Sequence, residues 1–232
     1  MLVTAKNWND FWIHEGIGTY TQALYAETLN GPAAYHQVMS EQRRGIANHG
    51  AVAPREPHSS QEMYFTSKWK DSPAGDIYNK GSWIMHSLRH LLGDKDFFHV
   101  LRRFAYPDPE MEKITDGRQC RFATTDELLA IAEKETGRKL GWFWEVYLRQ
   151  PQLPKLIGEL KEGNLYVHWE TPNDLPFPMP IEVAVGDKAI QVEMKDGKAV
   201  VPMHGAKEFV LDPQDWILRA KEPGAGRKPK SK

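Results

Sequence analysis

Cysteine is nearly missing from this sequence. Cys120 is the only one in 232 residues, which excludes an internal disulfide and any zinc cluster built on thiolates. Neither sign of charge is in excess: 30 Lys+Arg stand against 31 Asp+Glu, for a formal net charge of −1. A chain so balanced has no global field to draw it to nucleic acid or to an anionic membrane, so neither is expected as a partner. No apolar run approaches the roughly 18–20 residues of a membrane span. The N-terminus also lacks the charged-then-apolar layout of a signal peptide, and the sequence names no compartment. What is present is apolar substance: 41% hydrophobic and 11% aromatic residues, enough for one large domain or two small ones with a real core.

The first two-thirds of the chain carries helical periodicity. Trp8, Phe11, Trp12, Tyr20, Ala23 and Leu24 set a helix over about 8–29 that Asn30-Gly31 stops. Pro32 suits the first turn of a second helix running toward Arg44. From Gly45 to Ser72 the text is rich in Gly, Pro, Ser and Asn without a period and reads as a long loop. A strong helix follows over about 74–92, with Ile77, Gly81, Ile84, Met85, Leu88 and Leu92 near one face and Gly93 as its stop. Asp94 is the expected cap of the next helix, which would bury Phe97, Phe98, Leu101 and Phe104. Thr124 and Glu127 form a capping-box pattern, with Gly137 ending that helix, and a short aromatic helix covers Trp142 to Leu148. After Pro151 and Pro154 the period changes from 3.6 to short alternating runs at 165–169, 181–185, 189–192, 199–201 and 208–211. Turn dipeptides such as Gly186-Asp187 and Asp196-Gly197 separate them, which suggests a small β-sandwich.

His14-Glu15 begins like the metalloprotease motif H-E-x-x-H but continues Gly16-Ile17-Gly18, so a two-histidine zinc helix is not encoded there. His86 and His90 stand at i,i+4 spacing and could clamp a metal from one helix face. No acidic partner is visible near them, and the plainer expectation is a pair of partly exposed helix histidines.

The neighbours of Glu15 carry more. Val3-Thr4, Trp8, Trp12-Ile13-His14-Glu15-Gly16 and Thr19-Tyr20 resemble V-T-x-x-x-W-x-x-x-W-L-x-E-G-F-A-x-Y. That pattern follows the H-E-x-x-H helix in the aminopeptidase N family of gluzincin-type zinc metallopeptidases. Ile17, Gly18 and His14 depart from it, whereas Glu15 and Gly16 keep it. Asp76-Ile77-Tyr78-Asn79-Lys80-Gly81 is similar to the family's Y-x-K-G helix. Thr124-Thr125-Asp126-Glu127, Gly137, Trp142-Phe143 and Gln150-Pro151-Gln152-Leu153-Pro154 look like the succession that ends its catalytic domain.

Residue patterns and resemblance together imply an α+β chain: a mainly helical, thermolysin-like C-terminal lobe over residues 1–152, a small β-sandwich over 153–222 and, from its Gly, Pro and Lys content, a disordered basic tail over 223–232. The resemblance implies Glu15 as the third zinc ligand and Tyr78 as donor to the oxyanion that forms at the scissile carbonyl. Zn2+ is the implied cofactor and a peptide the implied substrate. Counting back in the family's register puts the second histidine upstream of Met1. The acidic G-x-M-E-N loop that anchors the substrate amine is likewise not in this sequence. The expectation is a piece of a zinc aminopeptidase that is weak or inactive alone and binds zinc poorly, since one carboxylate leaves most of a metal's shell to water. The alternative expectation is a noncatalytic or complementing module whose helical face docks a separate H-E-x-x-H-bearing chain, or associates with itself.

Overall fold

The computed structural model describes residues 2–64 and 71–220; the tail expected to be disordered, 223–232, lies outside them. The fold is α+β, in two compact units, Met1–Gln152 and Leu153–Lys232.

In the first unit, strand β1 (Val3–Ala5) pairs in parallel with β2 (Arg121–Ala123). A 3-10 turn over Trp8–Asp10 leads into α1 (Trp12–Asn30), and Gly31, at φ 80°, separates it from α2 (Pro32–Arg43). Glycine suits that φ because it has no Cβ. The loop expected from Gly45 to Ser72 contains a short helix, α3 (Ser60–Tyr64). Its start is a capping box: Ser59 N donates to Glu62 Oε2 at 2.7 Å and Glu62 N donates to Ser59 Oγ at 3.4 Å.

The helix expected over 74–92 is two pieces. A 3-10 turn, Ala74–Ile77, ends at Tyr78 (φ −85°, ψ −76°), and α4 (Asn79–Leu92) begins after it. The buried Asp76 carboxylate accepts the Ala47 and Asn48 amides, the first at 2.8 Å, and so ties the turn to the preceding loop. α4 packs against α1, α2 and α5 (Asp94–Ala105) and is buried nearly all round. Its polar residues are buried because each finds a partner. Ser82 Oγ donates to Gln42 Oε1 at 2.6 Å, and the Trp83 indole donates to Met39 O at 2.8 Å.

Asp94 does not cap α5. Its carboxylate is taken by Arg89, at 2.7 Å to Nε, which also pairs with Glu27; a guanidinium fork is the stronger partner. Phe97, Val100 and Phe104 are buried on α5, while Phe98 lies exposed. α6 (Thr125–Thr136) has the expected capping box from Thr124 and Glu127 and stops at Gly137 in the left-handed region. α7 (Gly141–Leu148) closes the unit.

The second unit is a small sandwich of two antiparallel three-stranded sheets. One has β3 (Lys155–Lys161), β4 (Asn164–Glu170) and β7 (Lys198–Pro202); the other has β6 (Lys188–Val192), β5 (Ile181–Val185) and β8 (Val210–Leu211). Leu156, Leu165, Val167, Trp169, Ile181 and Val183 are among its buried residues. The sheets approach closely at Gly158, where an added Cβ would stand 3.0 Å from Leu211 Cδ1 and from Phe209 Cε2.

Candidate active site

Glu15 lies in the first turn of α1 and Tyr78 at the joint between the 3-10 turn and α4. The two helices cross at Gly16 and Gly81. A Cβ built on Gly16 would sit 2.8 Å from Gly81 Cα and 2.9 Å from Ile77 O, and one on Gly81 would sit 2.8 Å from Gly16 Cα. Carbon atoms rest about 3.5–4.0 Å apart, so only a glycine pair allows this approach. Each glycine belongs to the motif of one candidate residue, Glu15-Gly16 and Tyr78-Asn79-Lys80-Gly81. The backbone contact therefore carries Glu15 and Tyr78 to the same place.

Both side chains are half-buried. Burial pushes the Tyr78 phenol above its ordinary ionisation range; the hydrogen bond with Tyr64 and the charge and hydrogen bond of Glu15 push the same way. The phenol thus keeps its proton through neutral pH, a requirement for a hydrogen-bond donor.

The surrounding residues fix this pair from several sides. Lys80, two residues after Tyr78, is fully buried and its Nζ donates to the carbonyls of Pro151 (2.7 Å) and Gln150 (3.1 Å). Desolvation pushes its pKa down to about 8, against the opposing charge of Asp76. On the α1 side, the Trp12 indole donates to Thr125 Oγ1 at 2.9 Å, and Thr125 N donates to Asp10 Oδ1 at 2.7 Å. His14 serves the backbone: Ala5 N donates to its Nε2 at 3.0 Å, fastening β1 to α1. The segments that resembled family motifs one by one are thus held together by direct contacts: Trp12 with Thr125, Gly16 with Gly81, and Lys80 with Gln150 and Pro151.

His86 and His90 stand apart from this. The expected partial exposure fails for His86, which is fully buried with Nδ1 2.5 Å from Tyr35 Oη, itself 2.9 Å from Tyr20 Oη. α4 is central, so its polar side faces other helices rather than water. His90 is half-buried, and desolvation lowers its pKa. Among the described residues no group of three or more His, Cys, Asp or Glu converges to hold a metal ion. A catalytic zinc takes three protein ligands, so the described residues do not by themselves fit one; they offer a single carboxylate beside a phenol.

One residue at the site escaped the sequence reading. Tyr64, at the end of α3, places its hydroxyl 3.0 Å from that of Tyr78. The Ser59–Glu62 capping box was the available signal, since it announces a helical turn ending near Tyr64.

The family model described as the Peptidase family M1 domain matches residues 1–147. Aminopeptidase N of Lactococcus lactis subsp. lactis is 24% identical over 169 residues, covering 71% of this chain and 18% of its own length. Endoplasmic reticulum aminopeptidase 2 of Bos taurus is 25% identical over 109 residues, 45% of this chain and 11% of its own length. The fold is similar to that in the crystal structure of Legionella pneumophila aminopeptidase A in complex with aspartic acid. That likeness has a TM-score of 0.56 at 16% identity and covers 90% of this chain and 22% of that one. The chain spans less than a fifth of the length of the curated relatives it matches.

The class so defined is a metallopeptidase domain of the aminopeptidase type. The chain belongs to peptidase family M1, whose members are zinc-dependent. No described helix is long and apolar enough to cross a membrane.

Proposed function

We propose that this chain carries two working groups of a zinc-dependent aminopeptidase that releases N-terminal residues from peptides, with Glu15 as one zinc ligand and Tyr78 as the oxyanion donor. The observation that carries this reading is the Gly16–Gly81 crossing, which joins the two motifs through their own glycines. The phenol supports it too, because a hydroxyl that is protonated at neutral pH can donate a hydrogen bond to a carbonyl oxygen as that oxygen gains charge. The remaining two ligands and the general base belong to an H-E-x-x-H segment that the 232-residue sequence does not contain. The chain alone therefore hydrolyses peptides weakly or not at all.

The test is aminoacyl-arylamide hydrolysis by the chain alone and by the chain joined to an H-E-x-x-H segment of the family. Only the joined form should turn over. In it, Tyr78→Phe should lower kcat by about 10²–10³-fold with little change in KM, and Glu15→Gln should abolish activity. Stoichiometric zinc with full hydrolysis by the isolated chain would overturn the reading.

A second reading, a module that docks a separate H-E-x-x-H-bearing chain, is favoured by Trp8 and Tyr64. Both are exposed, and their rings flank Phe11 in the run that leads to Glu15. Size-exclusion chromatography with the separate segment should then show a complex; two independent peaks would exclude it.

A further inference from the structure

Tyr64 is built into the site more firmly than a surface tyrosine. Its ring meets that of Tyr78 edge-on, with centroids 6.4 Å apart and planes at 67°. It also meets Phe11 at 6.4 Å, and Phe11 in turn packs against Trp8 at 4.7 Å. The Ser59–Glu62 cap fixes the turn beneath it and Met63 is fully buried, so the tyrosine is held from both its backbone and its ring. At 42% exposure it nevertheless remains open to solvent.

The Tyr64–Tyr78 hydrogen bond can run in either direction, since either hydroxyl could be the donor. A phenol has one proton and can accept through its oxygen. Tyr78 stands between the Glu15 carboxylate, which can only accept, and the Tyr64 hydroxyl, which can do either. Were Tyr78 to donate to Tyr64, it would have no proton left for Glu15 or for a substrate oxygen. When Tyr64 donates to Tyr78 Oη, the Tyr78 proton becomes available to another acceptor. A bond received at the oxygen also polarises the Tyr78 O–H and strengthens it as a donor.

We infer that Tyr64 is a positioning residue for Tyr78: the hydrogen bond between the two hydroxyls fixes the phenol, and Tyr64 donates to Tyr78 Oη when Tyr78 turns its own proton to the peptide carbonyl oxygen. The inference rests on the proposed role of Tyr78.

Two readouts test it. In the 232-residue chain labelled with 13C at tyrosine Cζ, the Tyr78 resonance is the one that disappears in Tyr78→Phe. Tyr64→Phe should move that resonance at neutral pH, while Tyr25→Phe, an exposed change on α1, should leave it in place. A Tyr78 resonance indifferent to Tyr64→Phe overturns the hydrogen bond and the inference with it.

The second readout is a double-mutant cycle in the peptidase completed with the H-E-x-x-H segment. Tyr64→Phe should lower kcat about tenfold, the worth of one ordinary hydrogen bond, with KM within about twofold. In the Tyr78→Phe background it should cost nothing further, because Tyr64 acts only through Tyr78. Equal losses in both backgrounds would mean a merely structural role and overturn the inference. If Tyr78→Phe itself leaves kcat unchanged, the reading of Tyr78 fails and takes the inference with it. If Tyr78→Phe is impaired and Tyr64→Phe is not, the inference alone fails.

Discussion

Alanine at Gly16 tests the helix crossing that brings Glu15 to Tyr78. The added Cβ would stand 2.8 Å from Gly81 Cα and 2.9 Å from Ile77 O, both main-chain atoms with no rotamer to turn away. Restoring ordinary contact requires α1 and α4 to part by about 1 Å, and overpacking of this kind costs ~1–3 kcal/mol. Alanine is the better helix former by roughly 0.5–1 kcal/mol, which offsets part of that. The expected net loss is about 1–2 kcal/mol. Gly18 supplies the control, because it lies in the same helix with nothing within 4 Å of its built Cβ. Gly18→Ala should stabilise by roughly 0.5–1 kcal/mol through propensity alone. Urea unfolding followed by far-UV circular dichroism reads the helical unit in both variants. The reasoning is refuted if Gly16→Ala is as stable as the unaltered chain, or if the two alanines shift stability in the same direction.

Two further outcomes follow from polar groups of the helical unit. Lys80 has a folded-state pKa of about 8 against an ordinary 10.5, so between those values the unfolded chain binds more protons than the folded one and stability rises with pH. The full rise is of order 3 kcal/mol. Unfolding free energies measured from pH 7.5 to 10.5 should show it, and Lys80→Met should flatten the curve; an unchanged slope in that variant would contradict the assignment. Thr124→Ala removes the side-chain oxygen that accepts Glu127 N at the start of α6, and should lower the stability of the helical unit by ~1 kcal/mol in the same urea assay. No change there would mean that the cap contributes nothing.

The features legible in the sequence were those whose cause is local. Gly31 before Pro32, the Thr124–Glu127 box and Gly137 each act within a turn of chain, and each stands where its spacing indicated. Glu15 and Tyr78 were singled out as candidates for a different reason, the motifs around them, and each motif includes a glycine whose packing appears only when the other helix is present. What sequence reading missed depends on distant partners. Asp94 reads as a cap until Arg89 claims it. α4 looks amphipathic by its apolar spacing, yet Lys80, Ser82 and His86 are buried because Pro151, Gln42 and Tyr35 receive them. β1 and β2 are three residues each and gain meaning only by pairing across the unit. β3 escaped because Leu156 is its only fully buried residue among charged neighbours, with Gly158 as the close-approach point of the sandwich.

The most direct test of the account is zinc stoichiometry by equilibrium dialysis against a weak chelator. The 232-residue chain alone should retain no stoichiometric zinc, and the chain completed with an H-E-x-x-H segment should retain one equivalent. Glu15→Ala in that completed form should weaken binding by at least ~100-fold, the upper range for loss of a mere supporting contact. Stoichiometric zinc in the isolated chain, or unweakened binding after Glu15→Ala, would contradict the claim that Glu15 is one ligand of a site the chain only partly supplies.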